Sequence, residues 1–269
     1  MLVLIMFTGF LVGIVSTYFG IGGGVIIVPA LYTIFPSLAP ETVISTSLGV
    51  ITLNNLINMF AYHKKGLVAH YKLIIPLTLV MLIGVFLGIK ITFLLPATDL
   101  KRLFSLVLVI SAFFTFFRSA PRSDRTYQLN DISYKQWILA LICFFIAGII
   151  STTTGIGGGV LVIPIFIHLL RLPYRLIPVN TNFVVLIGVL VGGFLYLFNG
   201  NTYPTTEFGF QVLQLGPINL NLVLLISFFA FFTSYLGIRL SQKSSSNLSK
   251  RIFAIMLLVV AVCFFVSTI

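Results

Sequence analysis

Residues 20–29 read GIGGGVIIVP, and residues 155–164 read GIGGGVLVIP. Each stretch interrupts an apolar run that would otherwise continue as one helix. Glycine weakens a helix interior by about 1 kcal/mol per residue, and proline cannot donate a backbone hydrogen bond. One such cluster would read as a place where small residues let two membrane helices approach. Two copies, each followed by proline at the same distance, mark a duplicated unit and raise a second reading, in which the breaks serve function.

The duplication extends well beyond the motif. An offset of 135 residues places Gly13 on Gly148, Ser16 and Thr17 on Ser151 and Thr152, Pro29 on Pro164, and STS at 45–47 on NTN at 180–182. The offset then grows to 149, where LGIK (87–90) meets LGIR (236–239) and KRLF (101–104) meets KRIF (250–253). The second half therefore carries 14 extra residues within NGNTYPTTEFGFQVLQLGP, residues 199–217. The chain divides into a first transmembrane repeat (1–118), a polar linker (119–133) and a second transmembrane repeat (134–269).

Composition sets the class. Of 269 residues, 59% are hydrophobic and 8% charged, with mean hydropathy +1.15, whereas about a quarter of a soluble domain is charged. The pattern predicts an all-α polytopic membrane protein. Each half holds an apolar helix (2–18; 136–153), the glycine break and a short helix (24–35; 159–170). Three longer spans follow in each half, near 42–61, 73–94 and 102–118, then 176–198, 218–240 and 251–268. The net charge of +11 sits in short loops, where it orients the spans and meets anionic headgroups, so no nucleic-acid partner is expected. The first 16 residues lack a basic leader region and run into the duplicated motif, so they are expected to belong to the mature fold rather than to a signal peptide. Cys143 and Cys263 are lone cysteines without metal-ligand spacing, and no metal or cofactor is expected.

A helix of 12 residues reaches only about 18 Å, too short for the hydrocarbon core. The helix pair around each break is thus either a re-entrant hairpin or one broken span. The basic residues separate the two cases. If the pair makes no net crossing, thirteen of the sixteen Lys and Arg residues fall on one side, and only Lys90, Lys101 and Arg102 on the other. One net crossing would divide them seven to nine. Because cytoplasmic loops carry the excess of Lys and Arg, the first case is expected, with basic loops cytoplasmic and both termini outside. Three long spans per half then make the halves inverted repeats, a plan shared by many secondary transporters.

An unwound segment in hydrocarbon leaves backbone N–H and C=O groups unpaired at several kcal/mol each unless it lines a polar cavity. Gly22, Gly23 and Gly24, with Gly157, Gly158 and Gly159, are the candidate substrate-binding residues: without Cβ atoms, their N–H groups can converge as an anion nest at a helix start. Ser45, Thr46, Ser47, Asn180, Thr181 and Asn182 at the next span are the candidate side-chain donors. Ser16, Thr17, Ser151, Thr152, Thr153 and Thr154 stand close by. Bonding back to the carbonyl four residues earlier is the competing reading for any such hydroxyl. Asn54, Asn55 and Asn58 in TLNNLIN have apolar counterparts in the second half and read as a one-sided gate or as interhelical glue. Glu41, at a span entrance, is the only acid placed to carry a proton, and no acid lies deep in a span, which disfavours a cation path.

Other chemistries fail at particular residues. Val25 occupies the third glycine position of a dinucleotide fingerprint, and Leu176 stands where the second copy would need the equivalent of Glu41. No GK[ST] follows either motif, and no nucleophile–base set or HExxH appears, so no enzyme is expected.

Two apolar helices ending in GxGGG with a downstream proline, the STS element, LGxK/R and a late KRxF resemble the sulfite exporter TauE/SafE family over essentially the whole chain. The resemblance implies a multi-pass plasma-membrane transporter of small sulfur-containing anions such as sulfite, sulfonates or sulfoacetate. With the inverted-repeat plan, it is expected to work by alternating access on a small anionic substrate in the lipid bilayer. An anion channel and, further off, a membrane-embedded enzyme are the alternatives. Which anion moves, in which direction, with what coupling ion and in what oligomeric state lie outside what these residues encode.

Overall fold

The structure is a computed structural model that describes residues 1–117, 132–199, 213–243 and 246–266. The expected linker, apart from Ile132 and Ser133, and most of the 14-residue insertion lie outside the described residues. The chain forms α1 (Leu2–Phe19), α2 (Gly24–Ile34), α3 (Pro40–His63), α4 (Tyr71–Leu94) and α5 (Ala97–Phe117), then α6 (Tyr134–Thr154) and α7 (Gly159–Pro164). A π turn, Ile165–Leu169, continues α7, and α8 (Ile177–Asn199), α9 (Leu220–Lys243) and α10 (Ser246–Val266) follow. A two-residue ribbon pairs Gln214 with Asn219 and Leu215 with Ile218 ahead of α9.

Among the described residues, α1, α3, α4, α6, α8, α9 and α10 are each long and apolar enough to cross a membrane, whereas Gly24–Ile34 and Gly159–Leu169 are shorter apolar helices. The radial distribution of side chains fits a lipid surround. Phe86, Phe113, Phe228 and Phe231 face outward, each more than half exposed, while Ser16, Thr17, Asn55 and Asn180 are fully buried. Since apolar burial gives no advantage in lipid, close contact and interhelical hydrogen bonds hold such a bundle together.

Small residues make that contact. On α1, Gly9 and Gly13 lie against Ile226, Phe229 and Ala230 of α9, and Gly237 of α9 lies against Ile14. On α4, Gly84 and Gly88 lie against Phe145 and Ile149 of α6, and Gly148 of α6 lies against Met81. Both pairs run parallel. Thr233 Oγ1 donates to the Phe10 carbonyl (2.9 Å) in one, and Thr152 Oγ1 to the Val85 carbonyl (3.3 Å) in the other. The α1–α9 and α6–α4 pairs correspond under the sequence repeat. The central helices α3 and α8 correspond to each other, and they run antiparallel: Asn182 meets Asn55, and Gly192 meets Leu48.

Each broken pair starts and finishes at one end of the bundle. The Gln136 amide at the start of α6 donates to the Leu169 carbonyl at the end of the π turn (3.2 Å). In the other half, Asn219, just ahead of α9 and so at the end where the parallel α1 starts, donates its N–H to Thr46 near the start of α3, and only five residues separate the end of α2 from that start.

Several boundaries differ from expectation; α5 and α10 begin at Ala97 and Ser246, each five residues before the expected start. The second short helix changes to π geometry after Pro164, whose missing N–H removes one i→i−4 bond and whose ring crowds the turn below. The span expected from residue 218 begins at Leu220, because Asn219 is held in the ribbon and its Oδ1 caps the Leu222 N–H at 3.1 Å.

Candidate functional site

The two glycine breaks lie at mid-bundle, in backbone contact. Gly20, Gly22 and Gly23 have φ of 76°, 78° and 91°, and Gly155, Gly157 and Gly158 have 73°, 86° and 78°. Matching positions therefore adopt the same left-handed backbone, which only glycine enters without strain. A Cβ added to Gly24 would stand 2.6 Å from the Ile156 carbonyl oxygen and 2.7 Å from that of Gly155, and one added to Gly159 would stand 2.8 Å from Ile21 Cα. Ile51, midway along α3, touches both copies: its Cγ2 lies 2.2 Å from a Cβ built on Gly22, and its Cδ1 lies 3.0 Å from one built on Gly157.

Hydrogen bonding stops on either side of each break. The Gly20 N–H donates to the Ser16 carbonyl (2.7 Å) and the Gly155 N–H to the Ser151 carbonyl (3.0 Å). Beyond the breaks, Ile27 N–H returns to the Gly23 carbonyl and Val162 N–H to the Gly158 carbonyl, each at 3.1 Å. Among the described residues none accepts from the N–H groups of Gly22, Gly23, Gly24, Gly157, Gly158 or Gly159. These are free donors at the start of a helix, the end that carries partial positive charge.

Buried polar side chains stand beside them. The Asn55 amide lies 3.2 Å (Nδ2) and 3.3 Å (Oδ1) from a Cβ built on Gly22. Both of its polar atoms are without partners among the described residues, as are both of Asn54. At the other break, Ser151 Oγ lies 3.4 Å from a Cβ built on Gly158 and is also without a partner. Burying a polar group unbonded costs about 1–3 kcal/mol, so this concentration points to something that binds there. None of the groups that a Cβ at any of the six glycines would meet is charged.

The expected side-chain donors separate into two groups. Ser47 Oγ donates to the Gly155 carbonyl (2.8 Å) and thus holds the second break, while Asn182 Nδ2 donates to the Asn55 carbonyl (3.0 Å) and keeps its Oδ1 without a partner. Thr181 Oγ1 is buried without a partner as well. Ser45 bonds the Thr42 carbonyl of its own helix, Thr46 Oγ1 accepts from the Asn219 N–H, and Asn180 is occupied by the His70 N–H and the Leu176 carbonyl. Thr17, Thr153 and Thr154 bond back along their own helices. Asn58 is glue, donating to Ser16 Oγ at 2.9 Å. Glu41 sits in the first turn of α3, ten residues or about 15 Å along the helix from Ile51.

Sequence reading left out Ile51, which a pattern registers as one more apolar residue. It also left out Tyr62 and Tyr196, whose hydroxyls donate to the Thr17 and Thr152 carbonyls just before each break. From the basic end, a small cavity of about 50 Å³ opens between His63, Tyr71, Phe183 and Asn182.

Comparison with known proteins assigns the chain. The profile of the family described as sulfite exporter TauE/SafE matches residues 5–264. The chain belongs to the TauE/SafE family. It is 29% identical over 258 residues to a "Probable membrane transporter protein" of Haemophilus influenzae, covering 96% of this chain and 93% of the relative. A "Probable membrane transporter protein" of Methanocaldococcus jannaschii is 28% identical over 256 residues, covering 91% and 88%. Bacillus subtilis YdhB, a protein of the same description, is 28% identical over 190 residues, covering 71% and 76%. No solved structure matches the chain. As a TauE/SafE protein, the chain is a multi-pass membrane transporter and not an enzyme.

Proposed function

We propose that the chain is a secondary transporter for a small sulfur-containing anion of the sulfite, sulfonate or sulfoacetate type, bound between the two glycine breaks and presented in turn to the two sides of the cell membrane. The observation that carries the reading is the meeting of two free N–H sets, at Gly22–Gly24 and Gly157–Gly159, with the buried, unpartnered amide of Asn55 and hydroxyl of Ser151. Each is a buried hydrogen-bond donor without a partner among the described residues, for which an anion is the natural complement. The antiparallel α3–α8 pair and the corresponding α1–α9 and α6–α4 pairs support two inverted repeats, residues 1–118 and 134–269, that rock against each other. In this reading the basic loops are cytoplasmic and both termini lie outside.

Transport of labelled sulfite into liposomes tests the site. Gly23→Leu places a side chain at φ 91°, 2.6 Å from Val12 Cγ1, and Gly158→Leu places one at φ 78°, 2.8 Å from Met81 Cε. Both variants are expected to insert and to lose at least about 90% of transport, equivalent to about 1.4 kcal/mol of lost transition-state stabilisation. Asn55→Leu, which leaves the backbone alone, serves should either glycine variant fail to fold. Full transport by the folded variants would overturn the central site.

A further inference from the structure

We propose that the central site takes the singly charged, protonated form of an oxyanion, the hydrogensulfite type, and rejects the dianion, so that the transported proton rides on the substrate. The proposal rests on the anion-site reading above and adds the ionisation state. Two properties of the site carry it.

The first is charge. Among the described residues the only charged residue that is buried is Lys250, in the first turns of α10 beside Ser249, and the groups nearest the break glycines include no charged one. The cost of desolvating an ion grows as the square of its charge, while stabilisation by neutral donors and helix ends grows only in proportion to it. Without a counter-charge, the second negative charge of a dianion is the one that is not repaid.

The second is the mixture of donors and acceptors. Every asparagine amide that offers an NH2 also brings an oxygen, whichever way it is turned. The oxygens of Asn55, beside the first break, and of Asn182, whose NH2 reaches the Asn55 carbonyl, are buried without partners, and the Ile156 carbonyl faces Gly24. Acceptors that lie beside the breaks repel a fully deprotonated oxyanion. An O–H on the bound anion satisfies one of them, while its remaining oxygens take the glycine N–H groups and the Asn55 NH2. This arrangement also accounts for the absence of a buried carboxylate among the described residues: no side chain has to carry the proton across, because the anion already does.

The test is binding of sulfite and of selenite to the purified full chain in lipid nanodiscs, by calorimetry, over a pH range spanning the second ionisation of each. Selenite loses its second proton at higher pH than sulfite. Apparent affinity on total anion is expected to weaken about tenfold per pH unit above that ionisation, with the midpoint for selenite displaced to higher pH. Affinity expressed on the hydrogen form alone is expected to stay constant, and sulfate is expected not to compete. A common midpoint for both anions would place the proton on the protein and overturn the proposal, as would equal competition by sulfate. Absence of binding by either anion at every pH would instead remove the central-site reading, and the proposal with it. Asn55→Leu is expected to weaken hydrogensulfite binding at least tenfold; unchanged binding by this variant would overturn the role given to the amides.

Discussion

At the residue scale, Gly24 is where the two breaks come closest, and size rather than backbone freedom makes it necessary. A Cβ there would meet two carbonyl oxygens, those of Ile156 and Gly155, at 2.6 and 2.7 Å. Backbone atoms cannot turn aside, so Gly24→Ala has to push the start of α2 off the second break. We expect a loss of about 1–3 kcal/mol, the usual range for overpacking a tight contact, read as a lower thermal unfolding transition in detergent. Gly193→Ala is the contrast. Nothing lies within 4 Å of the added methyl, and removing a glycine from a helix interior is expected to stabilise by about 0.4–1 kcal/mol. Equal shifts for the two variants would mean that the contact between the breaks is not tight. The sequence marked Gly24 by repetition alone. It could not rank Asn55 above Asn58, because the difference lies in partners: Asn58 finds Ser16 across 42 positions in the chain, and Asn55 finds none.

At the element scale, a helix that stops inside a membrane must dispose of its last carbonyls, and here tyrosines reaching from the central helices do so. Tyr62 of α3 donates to the Thr17 carbonyl and Tyr196 of α8 to the Thr152 carbonyl, the latter at 2.8 Å. The two tyrosines are not at equivalent positions of the repeat: an offset of 135 carries Tyr62 to Leu197. That one-residue slip hid the pair from sequence comparison. Helix existence was readable throughout from apolar runs and glycine breaks, whereas the boundary at Leu220 and the π turn after Pro164 depend on a cap and a missing donor that periodicity does not register. Tyr62→Phe leaves the Thr17 carbonyl buried without its partner and is expected to cost about 1–3 kcal/mol. Tyr196→Phe is expected to cost less, since Thr92 Oγ1 also approaches the Thr152 carbonyl, at 3.4 Å. Thermal unfolding of the two variants, measured side by side, checks the order.

At the scale of the whole molecule, the proposed inversion of the repeats has a consequence that length and hydropathy alone do not. In a parallel duplication, the connection from α3 to α4 and its counterpart from α8 to α9 would emerge on the same face. The geometry sets them at opposite ends. His70, just before α4, donates its N–H to Asn180 at the start of α8, while Asn219, just before α9, donates its N–H to Thr46 near the start of α3. Since α3 and α8 are antiparallel, these two attachments are separated by about 17 Å along the pair, more than half the hydrocarbon core, and the charge asymmetry is expected to put the first, with Lys64, Lys65 and Lys72, in the cytoplasm. Val68 and Leu213 are both more than half exposed, one in each connection. With Cys143 and Cys263 first replaced by alanine, Val68→Cys and Leu213→Cys should react with a membrane-impermeant maleimide from opposite sides: Leu213→Cys in intact cells, Val68→Cys only after the membrane is opened. Labelling of both from the same side would rule out inversion. The opposite pattern, Val68→Cys alone in intact cells, would keep inversion and reverse the orientation assigned from the basic loops. The two outcomes are separable because the relation between the halves is fixed by contacts within the bundle, while the orientation of the whole rests on sixteen basic residues and the potential they meet at the membrane surface.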